Sequence, residues 1–275
     1  MWDVLVEMLS FDYILRALLV GVLVSLCASL LGTSLVLKRY SMIGDGLSHV
    51  GYGAMAVAAA MNVAPLQVAI PVVIVAAFFL LRLSQNSKLK GDALIAILSS
   101  SSLAIGMIVV SVMEVNIDLN SYMFGSILAL SNEDVVLSVI SSVIVIILYV
   151  LFYNKIFAVT FDESFSKATG VRANIYNMLI ALLTAVVIVV GMRLMGALLI
   201  SSLVIFPSLT SMRVCKSYRG VTICSVAVSV LCFFAGMVTT FYIPVPTGAC
   251  IVVTNLLVFL IFMAIGALKG RFAKK

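Results

Sequence analysis

Long apolar runs recur along nearly the whole chain, at residues 14–37, 41–62, 66–84, 92–113, 134–154, 173–192, 195–212, 221–242 and 248–268. Each approaches the roughly 20 residues that a helix needs to cross the hydrocarbon core of a bilayer, with ends placed to within about 2–4 residues. Water would not tolerate such a pattern. Only 10% of the 275 residues are charged and 64% are hydrophobic, against the roughly 25% charge of an average soluble domain. The expectation is an all-α polytopic membrane protein with nine transmembrane helices. Eight is the alternative, because the sixth and seventh stretches are parted only around Arg193 and can form a pair of short or broken helices. Residues 1–275 then form a single transmembrane domain, and soluble catalytic machinery belongs to a partner. The start, Met-Trp-Asp-Val-Leu-Val-Glu, lacks the basic region of a cleavable signal, so the first stretch is expected to be a retained span. The five cysteines contain no Cys-x-x-Cys pair, which argues against a metal cage or redox motif.

Positive charge sets the orientation, because Lys and Arg are retained on the cytoplasmic side. With the amino terminus outside, 15 of the 17 basic residues fall in cytoplasmic loops and the carboxyl-terminal tail, and only Arg16 and Arg193 fall outside. The opposite orientation reverses this ratio. A net charge of +6 is therefore explained by topology without invoking nucleic acid.

The acidic residues are more selective. Of eleven, Asp3, Glu7, Asp12, Glu114, Asp118, Glu133 and Asp134 fall outside, and Asp92, Asp162 and Glu163 fall in cytoplasmic loops. The remaining one, Asp45, stands at the start of the second stretch, four residues before His49, the only histidine. An aspartate inside a span costs about 2.5–3.5 kcal/mol at the helix centre on insertion scales. Residues i and i+4 share a helix face, and a carboxylate with a neutral imidazole suits divalent zinc, manganese or iron. A structural role competes with this one. Asp45 near a helix amino terminus is stabilised by free N–H groups and the macrodipole, and His49 can hydrogen-bond a neighbouring Ser. Two ligands do not complete a site, so other helices, a second copy or water must supply the rest.

Around these residues the chain acquires a likeness. Lys38-Arg39-Tyr40-Ser41-Met42-Ile43-Gly44-Asp45-Gly46-Leu47-Ser48-His49 resembles the Gly-Asp-x-x-Ser-His segment of the membrane permeases of bacterial zinc, manganese and iron ABC importers. Residues 118–128, 161–171, 196–208 and 246–249 are similar to further stretches of that family in the family's order. The resemblance implies the ABC importer permease fold of the cobalamin and metal type. It also implies a homodimer working with two cytoplasmic ABC ATPase subunits and an extracellular or periplasmic metal-binding protein, in a bacterial cell membrane. By the same resemblance Asp45 and His49 are ion ligands in the path, no cofactor is permanently bound, and the metal is cargo. No G-x-x-x-x-G-K-[ST] phosphate loop occurs in the chain, so the ATPase is expected in trans. The 161–171 loop becomes the coupling helix that docks the ATPase. Asp162 and Glu163 begin a short helix there and Gly170 ends it, while Phe161 and Phe165, at i and i+4, offer an apolar face.

Beyond the family, the same pair suits a secondary transporter using Asp45 and His49 as a proton or ion relay. No second Gly-Asp-x-x-Ser-His or internal repeat of the kind expected for that class is visible. An importer of a metal chelate shares the architecture, and a non-transporting assembly factor is the plainest alternative. The chain departs from the family pattern in Tyr52, an aromatic close to the proposed site, and in Tyr242-Ile243-Pro244, where relatives often carry an acid. Asn255 in the last stretch is expected to hydrogen-bond between helices, and Ser99–Ser102 and Ser201-Ser202 to bond back to their own helices or to line a wet path.

Overall fold

The structure, a computed structural model, describes residues 10–86, 91–113, 125, 130–243 and 245–272. Among them lie eleven helices and no strand. They are α1 (Asp12–Leu37), α2 (Ile43–Ala60), α3 (Pro65–Asn86), α4 (Gly91–Val112), α5 (Asn132–Leu151), α6 (Tyr153–Phe161), α7 (Glu163–Ala168), α8 (Ala173–Met195), α9 (Ala197–Met212), α10 (Tyr218–Tyr242) and α11 (Thr247–Phe272). Each of the nine apolar stretches contains one long helix. Among the described residues six helices are long and apolar enough to cross a membrane: α1, α5, α8 and α10, and the apolar lengths of α4 and α11. The chain is a multi-pass membrane protein.

α1, α8 and α9 form the centre, with Leu31, Ile188, Met192, Ile200 and Leu203 nearly inaccessible. The most apolar windows of α1 and α8 are 61% and 72% buried, whereas those of α4, α5 and α11 are only 11%, 22% and 17% buried. Apolar faces left this open are stable only against lipid or another chain. The open faces mark the periphery.

Two turns shape the site region. α1 ends in a closed Schellman turn, in which the Tyr40 N–H donates to the Leu35 carbonyl at 2.9 Å and the Arg39 N–H to the Val36 carbonyl at 3.1 Å. This puts Arg39 at φ +62°, where glycine is usual. The second is the break between α8 and α9. Gly196 has φ +89° and ψ 155°, a region that is essentially glycine-only. Arg193 itself lies inside α8, so the division falls at Gly196.

Polar side chains gather in two layers. Near its amino end α8 carries Asn177, which meets Lys38 and Glu163. Near its carboxyl end Arg193 pairs with Asp134 of α5 at 3.1 Å. Sixteen residues of helix between them correspond to about 24 Å of rise, close to the thickness of a hydrocarbon core. Asn255 does not bridge helices as expected: its Nδ2 donates to the Ile251 carbonyl at 2.9 Å within α11. In an apolar span, the carbonyl one turn back is the nearest acceptor. Ser101 and Ser202 likewise bond back to their own helices. The five cysteines are free thiols.

Candidate metal-ion path and coupling surface

α2 is clasped on two flanks. Gly53 faces α4 so closely that a methyl group there would stand 2.7 Å from the Ser102 carbonyl oxygen, an approach only glycine permits. On the other flank Gly44 faces Ser201 of α9, and Gly51 lies against the Met192 side chain of α8. Between the flanks runs a stripe at 42, 45 and 49. Met42 is exposed and Asp45 and His49 are half-buried, while the residues beside them, Gly44, Gly46, Leu47, Ser48 and Val50, are buried.

Asp45 occupies the first turn of α2, where the helix dipole favours a carboxylate. Its Oδ2 stands 3.6 Å from His49 Nε2. Two donors each about 2.0–2.1 Å from one tetrahedral ion stand about 3.4 Å apart, so the pair is spaced as two ligands of a shared ion. The pair is also incomplete. Among the described residues no group of three or more His, Cys, Asp or Glu gathers to hold a metal. The Asp45 and His49 side chains keep 39% and 24% of their surface, which leaves the two donors accessible to water or a second chain. Ser201 Oγ, across from Gly44, is buried and has no hydrogen-bond partner. Tyr52, one turn after His49 on the same helix face, is buried against α4, with its hydroxyl 3.3 Å from Met107 Sδ.

The segment expected to couple to the ATPase is built as its capping residues suggest, with one exception. Asp162 is the N-cap of α7, its Oδ1 accepting from the Phe165 N–H at 2.8 Å. Glu163 opens the helix. Gly170, at φ +83°, closes it through the Val171 N–H to the Ser166 carbonyl at 2.9 Å. Phe161 and Phe165, however, do not lie on one helix. Phe161 ends α6, and the extended Asp162, at φ −146° and ψ 99°, separates it from α7. The cap that starts α7 requires non-helical dihedrals, so it interrupts the i, i+4 register. Both rings are nevertheless exposed, at 62% and 66%.

Sequence reasoning treated Lys38 as a topology charge and overlooked Asn177. The Asn177 side chain, only 5% exposed, accepts from Lys38 Nζ through Oδ1 and donates through Nδ2 to Glu163 Oε2 at 2.8 Å. Lys167 Nζ holds the other oxygen, Oε1, at 2.7 Å. Burial pulls the Lys38 ammonium down to about 8, partly opposed by the Glu163 charge. Burial would raise Glu163, but hydrogen bonds from Lys167 and Asn177 and the charges of Lys167 and Lys38 hold it below the usual carboxylate range. A pair of amides, Asn174 and Asn177, in the first turns of an apolar helix was the available signal.

A family model described as the ABC 3 transport family matches residues 10–266. The chain is 28% identical over 266 residues to the manganese import system permease protein ScaB of Streptococcus gordonii, covering 97% of this chain and 95% of that one. It is 25% identical over 252 residues to the high-affinity zinc uptake system membrane protein ZnuB of Haemophilus influenzae, covering 91% and 97%. Its fold superposes on a chain of PsaBC from Streptococcus pneumoniae, solved in complex with Fab, with a TM-score of 0.83, 27% identity and 94% coverage of each chain.

Proposed function

The chain belongs to the ABC 3 transport family, and from that premise we propose that it is the permease subunit of an importer carrying a divalent transition-metal ion inward across a bacterial cell membrane. Zinc, manganese or iron is the cargo. ATP hydrolysis takes place in a partner chain, and this chain performs no chemistry of its own. In this reading nine helices cross the bilayer, α2 and α9 being the shortest at 18 and 16 residues. The amino terminus is outside, so Lys38, Glu163 and Asn177 face the cytoplasm and the Arg193–Asp134 pair faces out.

One observation carries the proposal: a carboxylate oxygen and an imidazole nitrogen 3.6 Å apart on an incompletely covered face of a helix otherwise clasped by its neighbours. Two donors suit transit, since a closed four-ligand cage would hold the ion too tightly to release it. A second copy of the chain, presenting the same stripe, can bring two more donors as the ion passes between the copies. An external metal-binding protein delivers the ion. The exposed Phe161 and Phe165 rings with the capped helix α7 form the surface on which the cytoplasmic ATPase acts.

Metal ligands bind in their deprotonated forms, so transport falls in acid. Asp45→Ala and His49→Ala are each expected to reduce metal uptake at least about tenfold, since even outer-shell changes cost about 10–100-fold in metal affinity. Metal content and uptake are measured in cells with normal membrane levels of the variant. Undiminished uptake overturns the site, and uptake that survives loss of the partner ATPase identifies a secondary carrier instead.

A further inference from the structure

The carboxyl end of α1 is held at two points by the segment that carries the coupling surface. The first is polar. Glu163, the first residue of α7, is joined through the Asn177 amide to Lys38, with both ends of the amide engaged and both Glu163 oxygens occupied. The second is largely aromatic. The rings of Phe157 and Phe161 pack on Tyr218 at 5.1 and 6.0 Å between centroids, and the Tyr218 hydroxyl lies 2.8 Å from Ser34 Oγ. Ser34 and Lys38 are one helical turn apart on the same face of α1. A partly buried lysine is a costly way to join helices, because an apolar side chain of similar volume would avoid the desolvation penalty.

The linkage gains its meaning from the turn at residues 38–42, which leads directly into α2, with Asp45 in the first turn of that helix. The turn is tied by backbone hydrogen bonds from Lys38 to Ser34, Arg39 to Val36, Tyr40 to Leu35 and Ile43 to Tyr40. A connection so short and so fully bonded passes on displacement instead of absorbing it. We propose that Lys38, Asn177 and Glu163 are positioning residues that transmit movement of α7 through the 38–42 turn to the Asp45–His49 helix, so that the state of the ATPase sets the geometry of the ion ligands. The inference rests on reading residues 161–171 as the ATPase-coupling surface.

The test uses the permease assembled with its ATPase in proteoliposomes and supplied with metal-loaded binding protein, reading ions imported per ATP hydrolysed. Lys38→Met and Asn177→Leu are expected to lower this ratio about tenfold, the scale of losing a charge-assisted buried hydrogen bond. ATPase co-purification and basal hydrolysis stay at wild-type levels, and Lys38→Arg, which keeps the charge, restores most of the ratio. A wild-type ratio in both variants overturns the linkage. Phe165→Asp separates the two ideas: if the ATPase still co-purifies undiminished, the coupling surface itself is wrong. If assembly is lost in Phe165→Asp while Lys38→Met couples normally, only the linkage is wrong. Should Lys38→Met fail to accumulate, spin labels at Arg39→Cys and Ala168→Cys, on a chain that keeps Lys38 and whose five free native cysteines are replaced by alanine, give a second readout. A label separation unchanged between nucleotide-free and ATP-bound states supports a rigid linkage, and a changed separation overturns it.

Discussion

The Asp45–His49 stripe and the Lys38–Asn177–Glu163 cluster meet at either end of one short turn, yet they are finished in opposite ways. The stripe offers two donors 3.6 Å apart, half-buried and short of a complete ligand set. The cluster is closed: the amide meets a partner at each end, and each carboxylate oxygen has its own donor. An unfilled set of ligands can accept an ion and let it go. A filled set of hydrogen bonds resists rearrangement and holds helices in register. On the function proposed above, one kind on each side of the 38–42 turn gives α2 a loose grip on the cargo and a firm grip on the rest of the protein.

The contrast can be broken most forcefully by closing the open site. Met42, exposed on the same stripe three residues before Asp45, can be replaced by a third ligand. Met42→His is expected to tighten metal binding to the purified permease about tenfold or more, because three protein ligands suffice for a retained zinc ion. Equilibrium dialysis reads the affinity and cellular uptake the flux. Tighter binding should accompany slower import, and faster import would show that affinity, not release, limits transport.

A smaller effect comes from loosening the closed side. Asp162→Ala removes the side-chain cap of α7, a loss of about 1 kcal/mol of local helix stability. Amides 163–168 should exchange hydrogen faster, with the Phe165 N–H most affected because it is the one capped. Import should fall less than in the Lys38 and Asn177 variants. Unaltered exchange at these amides would show that the cap does not hold the helix.

Smallest is the response to alkaline pH. In the folded protein Lys38 titrates near 8, below the roughly 10.4 of an exposed lysine. Below pH 8 the fold carries the cost of a buried ammonium. Between pH 8 and about 10.4 the folded protein sheds that proton while the unfolded chain keeps it, so this group's contribution to stability rises with pH. The charge that faces Glu163, with Lys167 on its other side, is lost over the same window, so ions imported per ATP should decline. Lys38→Arg, whose guanidinium stays charged, should show neither trend. Thermal unfolding and coupling ratio measured across pH 7–9.5 check both signs.

Much of this was legible along the chain, and what was missed shares a cause. The apolar stretches each contain a helix because the requirement to satisfy every backbone group in hydrocarbon is local. Asp162 caps and Gly170 closes α7 because capping depends on residues within one turn. The Phe161–Phe165 face misled because the same cap that starts α7 takes its own residue out of helical geometry. The reading of Asn255 failed for a related reason, since its own helix supplied the acceptor that another helix was expected to give. Ser101 and Ser202, by contrast, followed the local rule.

Sequence alone determined that the chain is a helical membrane protein, where its charges concentrate, and that its sole histidine stands one turn from Asp45. These are properties of neighbours, set by the helical repeat and by the cost of charge in hydrocarbon. Tertiary structure decided that Asp45 and His49 stay partly exposed while glycines bring α2 against its flanks, and that Arg193 meets Asp134. It also joined Lys38 to Asn177, 139 positions away. Such pairings depend on which helix faces pack together, and in an apolar span every face reads alike until the neighbours are in place.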